Sequence, residues 1–289
     1  MIRPVPKLAG VCGWPIHHSL SPLIHTYWLK KMGLQGAYVH FALRPDKAVA
    51  AFISLKKTSI TGVNVTLPLK GLAFEAADER TADANRLGVA NCLFKRGSKL
   101  IAHNTDLEGF AAPLLKNTDI RILTNNPSLV IGTGGAAKAV IGALLSLGVP
   151  EIRICGRTDQ SAKDLASDID LPSLYAVPWA ERKNAVAGCS LIVNASAGGM
   201  TGKPGLDFDL SNAGSEALVY DLIYTPRETE LMAQARSLGL KTLGGLEMLI
   251  AQARPSFKLF YGEIPPLTLD PTDILLKALN ERQLKSAKS

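Results

Sequence analysis

Lys70 and Asp106 are the residues of this chain whose types and surroundings best suit proton transfer at a carbonyl. Each lies at a turn after an apolar run, beside small hydrogen-bonding residues. Gly62-Val63-Asn64-Val65-Thr66-Leu67-Pro68-Leu69 precedes the lysine, and His103-Asn104-Thr105 precedes the aspartate. A lysine fixed behind a proline, with a carboxylate to hold its ammonium, can donate a proton to an oxygen that gains charge during reduction. Between them Gly88-Val89-Ala90-Asn91 adds an amide at another strand-like end. Taken singly, Lys70 reads as a solvated surface lysine and Asp106 as a residue favouring a helix N-terminus.

A second group is built from glycine. Gly132-Thr133-Gly134-Gly135-Ala136-Ala137 follows the apolar run Leu129-Val130-Ile131 and opens an Ala/Leu-rich segment. This is G-x-G-x-x-[GA] in a strand–turn–helix setting. The first glycine permits the tight turn, the second admits a pyrophosphate, and the small third position lets helix and strand approach. Backbone N–H groups and the helix dipole then face the phosphate charge. After the next strand-like run, Ile154-Cys155, comes Gly156-Arg157-Thr158, with no carboxylate before Asp159. NAD sites usually place an Asp or Glu there for the ribose. Arg157 can instead pair with a 2′-phosphate and Thr158 adds a hydroxyl, so NADP is the expected cofactor.

The elements that must position these groups alternate. Strands are predicted at 8–12, 38–43 and 62–66, with helices at 22–31, 47–56 and 70–78. Ser21 reads as the N-cap before Pro22. Segments 91–94 and 100–103 flank Arg96-Gly97-Ser98 as a hairpin, and a helix over 106–116 leads away. The pattern predicts a largely parallel sheet with helices on its faces. A polar connection, 117–127, leads to a second domain with strands at 129–132, 152–155, 174–177, 191–194, 217–221 and 242–243. Helices over 246–260 and 273–285 should return to the first domain. The expected organisation is a substrate domain over 1–105, a dinucleotide domain over 106–245, and returning helices over 246–289.

Composition agrees with a two-domain α/β enzyme. The chain has 289 residues, 47% hydrophobic and 20% charged. Its net charge of +7 is scattered, and the densest basic stretch, 277–288, also carries Glu281. That favours a solvated basic surface attracting small anions over a nucleic-acid footprint. Cys12, Cys92, Cys155 and Cys189 form no CxxC pair, which fits buried thiols in a reducing, cytoplasmic setting. Near the N-terminus Arg3 and Lys7 are followed by no continuous apolar run, since Gly13, Pro15 and His17-His18 interrupt it. No stretch nears membrane-spanning length. His17, His18 and His25 do not complete a zinc shell, because adjacent histidines diverge and no Cys or carboxylate cluster joins them, so no metal is expected.

Along nearly its whole length the chain resembles the shikimate dehydrogenase family. Gly13-Trp14-Pro15-Ile16-His17-His18-Ser19-Leu20-Ser21-Pro22 is similar to its G-x-P-I-x-H-S-x-S-P segment. Asn64-Val65-Thr66 with Lys70 matches N-V-T-x-P-x-K, Asn91 matches the asparagine of A-V-N, and Asn104-Thr105-Asp106 matches N-T-D. Asn194-Ala195-Ser196 through Gly199-Met200 resembles N-A-T-x-x-G-M. Tyr220-Asp221-Leu222-Ile223-Tyr224-Thr225-Pro226 resembles Y-D-x-x-Y-x-P, and Gly245, Met248-Leu249 and Gln252 fit G-x-x-M-L-x-x-Q.

The resemblance implies a three-layer α/β substrate domain, a Rossmann-like NADP domain and a cleft between them. It implies NADPH-dependent reduction of 3-dehydroshikimate to shikimate, on the route through chorismate to the aromatic amino acids, by a monomer or homodimer. It also implies that Ser19 and Ser21 bind the substrate carboxylate with Tyr224 nearby, and that Thr66, Asn91, Asp106 and Gln252 hold ring hydroxyls and carbonyl. Lys70 would be the acid/base positioned by Asp106, and Leu222 and Gly245 would line the nicotinamide end.

Four features depart from the family pattern. Gly156 replaces an asparagine, Ser161 stands where a second arginine is common, His103 replaces an aspartate, and Val89-Ala90 inverts Ala-Val. A single arginine clamp predicts a narrower NADP preference, partly compensated if Lys163 turns toward the phosphate. Quinate-active relatives tend to carry threonine at the second serine of S-x-S, so Ser21 favours shikimate over the quinate/shikimate alternative. An inactive ligand sensor on the same fold would be expected to lack Lys70 or Asp106.

Overall fold

Short apolar runs separated by polar turns give two six-stranded sheets, one in each of two units, in a computed structural model that describes residues 5–286. Arg3, and Lys288 of the basic tail, lie outside the described residues. The chain up to Asp106, with the part from Leu249 onward, forms the first unit, and Leu107–Met248 forms the second.

In the first unit the strands are β1 (Lys7–Gly13), β2 (Gly36–Ala42), β3 (Ile60–Val65), β4 (Glu79–Arg80), β5 (Cys92–Arg96) and β6 (Lys99–His103). Their order is β2-β1-β3-β5-β6-β4. The parallel β2-β1-β3 half meets the expectation, but β5 runs antiparallel to both β3 and β6. The sheet is therefore mixed, with three of its five pairings parallel, β4 with β6 among them. The cause is local: Gly97 at φ +61° makes the tight hairpin that joins β5 to β6, and a tight hairpin can only join antiparallel strands.

Helix layers cover both faces. On one, Phe52, Leu69 and Ala73 pack with Val63, Leu93 and Leu100 of the strands. On the other, the C-terminal part of helix Gly245–Tyr261 brings Phe260 onto Gly62, where a Cβ would meet the ring at 2.5 Å. Register then decides what gathers at one end of the sheet. Cys12 pairs with Val65, Asn64 with Cys92, and Cys92 with His103. The residues just outside these ends are Thr66, Asn91 and Asn104 through Asp106.

The second unit is wholly parallel. Its strands are β7 (Ser128–Ile131), β8 (Ile152–Cys155), β9 (Leu174–Val177), β10 (Leu191–Asn194), β11 (Leu218–Asp221) and β12 (Lys241–Leu243). The order β12-β11-β10-β7-β8-β9 reverses at β7, and ligands of such sheets bind beyond the strand ends at that switch. β7 and β10 are buried at every residue, as expected of strands covered on both faces. The segment read as a polar connection contains a short helix, Ile120–Thr124, capped by the Asp119 side chain.

Candidate active site

At the first unit's sheet end, Lys70 Nζ donates to Asp106 Oδ2 at 2.6 Å, with the two side chains 14% and 9% exposed. Each opens its own helix, Lys70–Ala76 and Asp106–Asn117. A helix N-terminus favours the carboxylate and opposes the ammonium, so the lysine depends on its partner. Asp106 Oδ1 accepts from Asn91 Nδ2 at 2.7 Å, and its N–H donates to Asn104 Oδ1 at 2.9 Å. The carboxylate is thus held on both oxygens.

Behind this pair lies a second row. Asn91 Nδ2 also donates to Thr105 Oγ1 at 2.9 Å, and Asn91 Oδ1 accepts the Thr105 N–H at 2.8 Å. Thr105 Oγ1 lies 3.4 Å from Gln252 Oε1, and the Gln252 amide donates to Leu249 O at 2.8 Å. Asn64 accepts from the Tyr38 hydroxyl at 2.8 Å and donates to Ser256 Oγ at 2.8 Å. Reasoning from residue types singles out neither Tyr38 nor Ser256. Ser256 follows Gln252 by one helical turn, which is the signal that could have found it.

Ser19 and Ser21 are buried and close to each other, with Ser19 Oγ 3.3 Å from both Ser21 Oγ and the Ser21 backbone nitrogen. Ser21 is not the N-cap: helix Ser21–Lys31 begins after Leu20, and Ser19 meets the N–H of Ser21. Two cationic or ring groups hold the loop from outside. Arg282 donates to His18 O at 2.6 Å, and His40 Nε2 lies 3.0 Å from Ser19 O. Half-buried Thr66 follows β3, its N–H bonded to Cys12 O at 2.9 Å, and Trp14 N–H reaches Leu67 O at 3.4 Å. Hence the serine loop leaves the sheet beside Thr66.

His25 takes no part. It is fully buried and stacks on Tyr38 at 3.9 Å between ring centroids, and burial pushes its pKa down to about 3. His17 and His18 are exposed, edge-on to each other at 5.8 Å. Among the described residues no group of three or more His, Cys, Asp or Glu converges as a metal site. All four cysteines are buried free thiols, and burial pushes Cys12 up to about 12 and Cys155 and Cys189 up to about 11.

In the second unit the Gly132–Ala136 turn joins β7 to helix Gly135–Leu147. Gly132 adopts φ +123°, and a Cβ there would lie 2.9 Å from the Ala195 backbone. Gly134, the N-cap, makes no side-chain cap, and the space a Cβ would enter is open. Unused N–H groups at a helix start beside open space fit a dinucleotide pyrophosphate. Thr133 in the turn lies against Gly156, where a Cβ would meet its methyl at 3.0 Å. Arg157 is exposed, with no ion-pair partner among the described residues, and Thr158 holds the N-cap position of Asp159–Ile169 without a side-chain cap bond. Asp159 is occupied: its Oδ1 accepts the Trp179 N–H at 2.7 Å. Gly245 packs directly on the chain after β11, where a Cβ would lie 2.0 Å from Leu222 O. Half-buried Tyr224 follows on that segment.

Residues 11–93 match the shikimate dehydrogenase substrate binding domain family, and residues 115–201 match the shikimate / quinate 5-dehydrogenase family. The chain is 41% identical over 275 residues to shikimate dehydrogenase (NADP(+)) of Gluconobacter oxydans, covering 94% of this chain and 96% of that relative. It is 40% identical over 263 residues to the same enzyme of Paramagnetospirillum magneticum, covering 91% and 95%. The chain belongs to the shikimate dehydrogenase family. Its fold is also similar to the crystal structure of shikimate 5-dehydrogenase from Thermus thermophilus in complex with NADP(H) and shikimate. The TM-score is 0.80 and the identity 32%, covering 93% of this chain and 96% of that one. As elsewhere in the shikimate dehydrogenase family, an N-terminal α/β substrate domain accompanies a Rossmann NADP-binding domain.

Proposed function

We propose that this chain is an NADP-dependent shikimate dehydrogenase, reducing 3-dehydroshikimate reversibly to shikimate on the chorismate route to aromatic amino acids. The observation that carries the reading is the Lys70–Asp106 pair at 2.6 Å in a chain of this family. NADPH, when bound, supplies a hydride to the ketone carbon. Lys70 gives its ammonium proton to the ketone oxygen and recovers one from solvent, so that one hydride and one proton are taken up per alcohol formed. Asp106 holds the ammonium on its oxygen, and Asn91 keeps the carboxylate oriented.

Ser19 and Ser21 donate to the substrate carboxylate, with the Tyr224 hydroxyl as a third donor. Thr66, Asn91, Asp106 and Gln252 hold ring hydroxyls and carbonyl. A site made of such donors and acceptors rejects analogues that leave them unpaired. Gly132, Thr133, Gly134, Gly135 and Ala136 cradle the pyrophosphate, while Leu222 and Gly245 line the nicotinamide end. Arg157 and Thr158 receive the 2′-phosphate. Arg157, exposed and without an ion-pair partner among the described residues, and the engagement of Asp159 by Trp179 both support NADP over NAD. In this reading substrate recognition belongs to residues 1–105 and 246–289 and cofactor binding to 106–245. Four buried free thiols fit a reducing cytoplasm, and the enzyme acts as a monomer or homodimer.

Purified protein assayed with shikimate and quinate, each against NADP and NAD, tests the proposal. Shikimate with NADP should be the fastest pair. Equal turnover of quinate makes the protein a quinate/shikimate dehydrogenase, and shikimate binding without any turnover makes it a sensor.

A further inference from the structure

Asn194 and Asp221 end β10 and β11 and are direct partners across the two strands. Both side chains are wholly buried, and Thr229 beside them is 3% exposed. Asp221 Oδ1 accepts from Asn194 Nδ2 at 3.0 Å and from the Ile223 N–H at 3.0 Å, while Oδ2 accepts the Thr229 hydroxyl at 2.6 Å. Asn194 Oδ1 accepts from Ser196 N–H and Oγ at 3.1 and 2.8 Å. Thr229 in turn caps helix Glu230–Ser237 by accepting the Met232 N–H. One carboxylate therefore ties together two strand ends, two loops and the start of a helix.

Burial alone pushes the pKa of Asp221 up, and three hydrogen bonds oppose that. A buried carboxylate contributes less to stability than apolar packing of similar volume, so its gain is sought in geometry. The geometry runs in one direction. Asp221 fixes the Ile223 N–H, the Ile223 carbonyl accepts the Gly245 N–H at 3.3 Å, and Gly245 abuts Leu222 O. The Leu222 N–H is held by Asn194 O at 3.0 Å.

We propose that Asp221, with Asn194 and Thr229, is a positioning residue for hydride transfer, fixing residues 222–224 and Gly245 so that the nicotinamide end of the cofactor is held in one orientation. This rests on the assignment of Leu222 and Gly245 to the nicotinamide under the proposed function. It assigns no contact with cofactor or substrate to Asp221 itself.

Asp221→Asn and Thr229→Val test it, the first keeping the shape of the side chain and the second deleting one hydroxyl. In both, 2′,5′-ADP, which lacks the nicotinamide, should bind within about twofold of wild type by calorimetry. NADPH affinity by fluorescence should fall about 3–10-fold and kcat about 10–100-fold, the scale of a small misplacement of the reacting groups. The deuterium isotope effect on kcat with NADPH labelled at the transferred position should rise, because the transfer becomes slower than release. Wild-type kcat and isotope effect in both variants overturn the inference, as does a loss of 2′,5′-ADP binding in parallel with kcat. A wild type that binds 2′,5′-ADP but turns over no shikimate overturns the proposed function and this inference with it.

Discussion

Around Lys70, the first unit fixes its polar groups with other side chains: Asp106 is held by Lys70 and Asn91, Asn91 by Thr105, and Asn64 by Tyr38 and Ser256. At the end of β7, the second unit works by omission. Gly132 bends where a side chain would strain, Gly134 leaves space open, and Gly245 admits the Leu222 carbonyl. The first site is harmed by taking atoms away and the second by adding them. A network of side chains also predicts non-additive losses, because removing one member leaves several others unsatisfied.

The largest effect should come from breaking the first network at its centre. Lys70→Ala is expected to lower kcat by about 10²–10⁴-fold with a smaller change in the KM for shikimate. Asp106→Asn should be severely slowed as well, having lost the charge that holds the ammonium. The double variant should be little worse than the poorer single one. Near-normal kcat in Lys70→Ala removes the acid/base assignment, and fully multiplicative losses would show two independent residues.

The second site should break by addition. Gly134→Ala places a methyl in the open space at the helix start, so NADP affinity should fall about tenfold or more while the thermal midpoint stays put. Gly132→Ala, at φ +123° and against the Ala195 backbone, should also destabilise the unit, by about 1–3 kcal/mol. Calorimetry and a melting curve on each separate the two, and equal behaviour would erase the distinction between open and filled glycines.

Charged contacts sharpen the comparison at smaller scale. Ser19→Ala should weaken shikimate binding by about 1.5–3 kcal/mol and leave NADP affinity unchanged. Arg157→Ala should cost NADP a similar amount, about 1.5–3 kcal/mol, and barely touch NAD. Titrating both variants with shikimate, NADP and NAD checks the pair. Unchanged shikimate affinity returns Ser19 to a turn residue, and equal losses for both dinucleotides move Arg157 away from the phosphate.

The two units also differ in how far their sequences reveal them. β8, β9 and β10 fall at the residues predicted for them: β10, buried at every residue, shows as a short hydrophobic run, whereas β8 carries Arg153 and edge strand β9 an exposed Tyr175 among apolar neighbours. In the first unit, two-residue β4 carries no periodicity, and helix Ala82–Leu87 is six residues long, announced only by its Thr81 cap. The hairpin turn at Gly97 is legible, whereas the mixed sheet it imposes is a tertiary consequence. Lys70 and Asp106, 36 positions apart, stand out by their motifs. Tyr38 and Ser256 do not, since a bond between residues 192 positions apart, such as Asn64 to Ser256, leaves no local trace. Asn194 and Asp221 stand in motifs of the sequence, but their bond to each other and that of Asp221 to Thr229 do not show in it.

One buried polar residue of the first unit stands outside its network, and its effect falls on stability rather than on turnover or binding. Neither ring nitrogen of fully buried His25 has a hydrogen-bond partner among the described residues. Burial among Tyr38, Trp28 and Phe257 lowers its pKa from 6.5 to about 3. Between those values the unfolded chain binds a proton at His25 that the folded chain refuses. Unfolding therefore takes up a proton, and the contribution of His25 to stability, full above the unfolded value, drains away as pH falls toward the folded one. The slope is at most about 1.4 kcal/mol per pH unit. His25→Leu keeps an apolar side chain of similar volume and removes the titration. Denaturant unfolding measured from pH 4 to 7 should show the variant losing less stability than wild type as the pH falls, with the two curves converging in slope near neutrality. Parallel curves across that range would mean that His25 is protonated alike in both states, and so that it does find a partner in the fold.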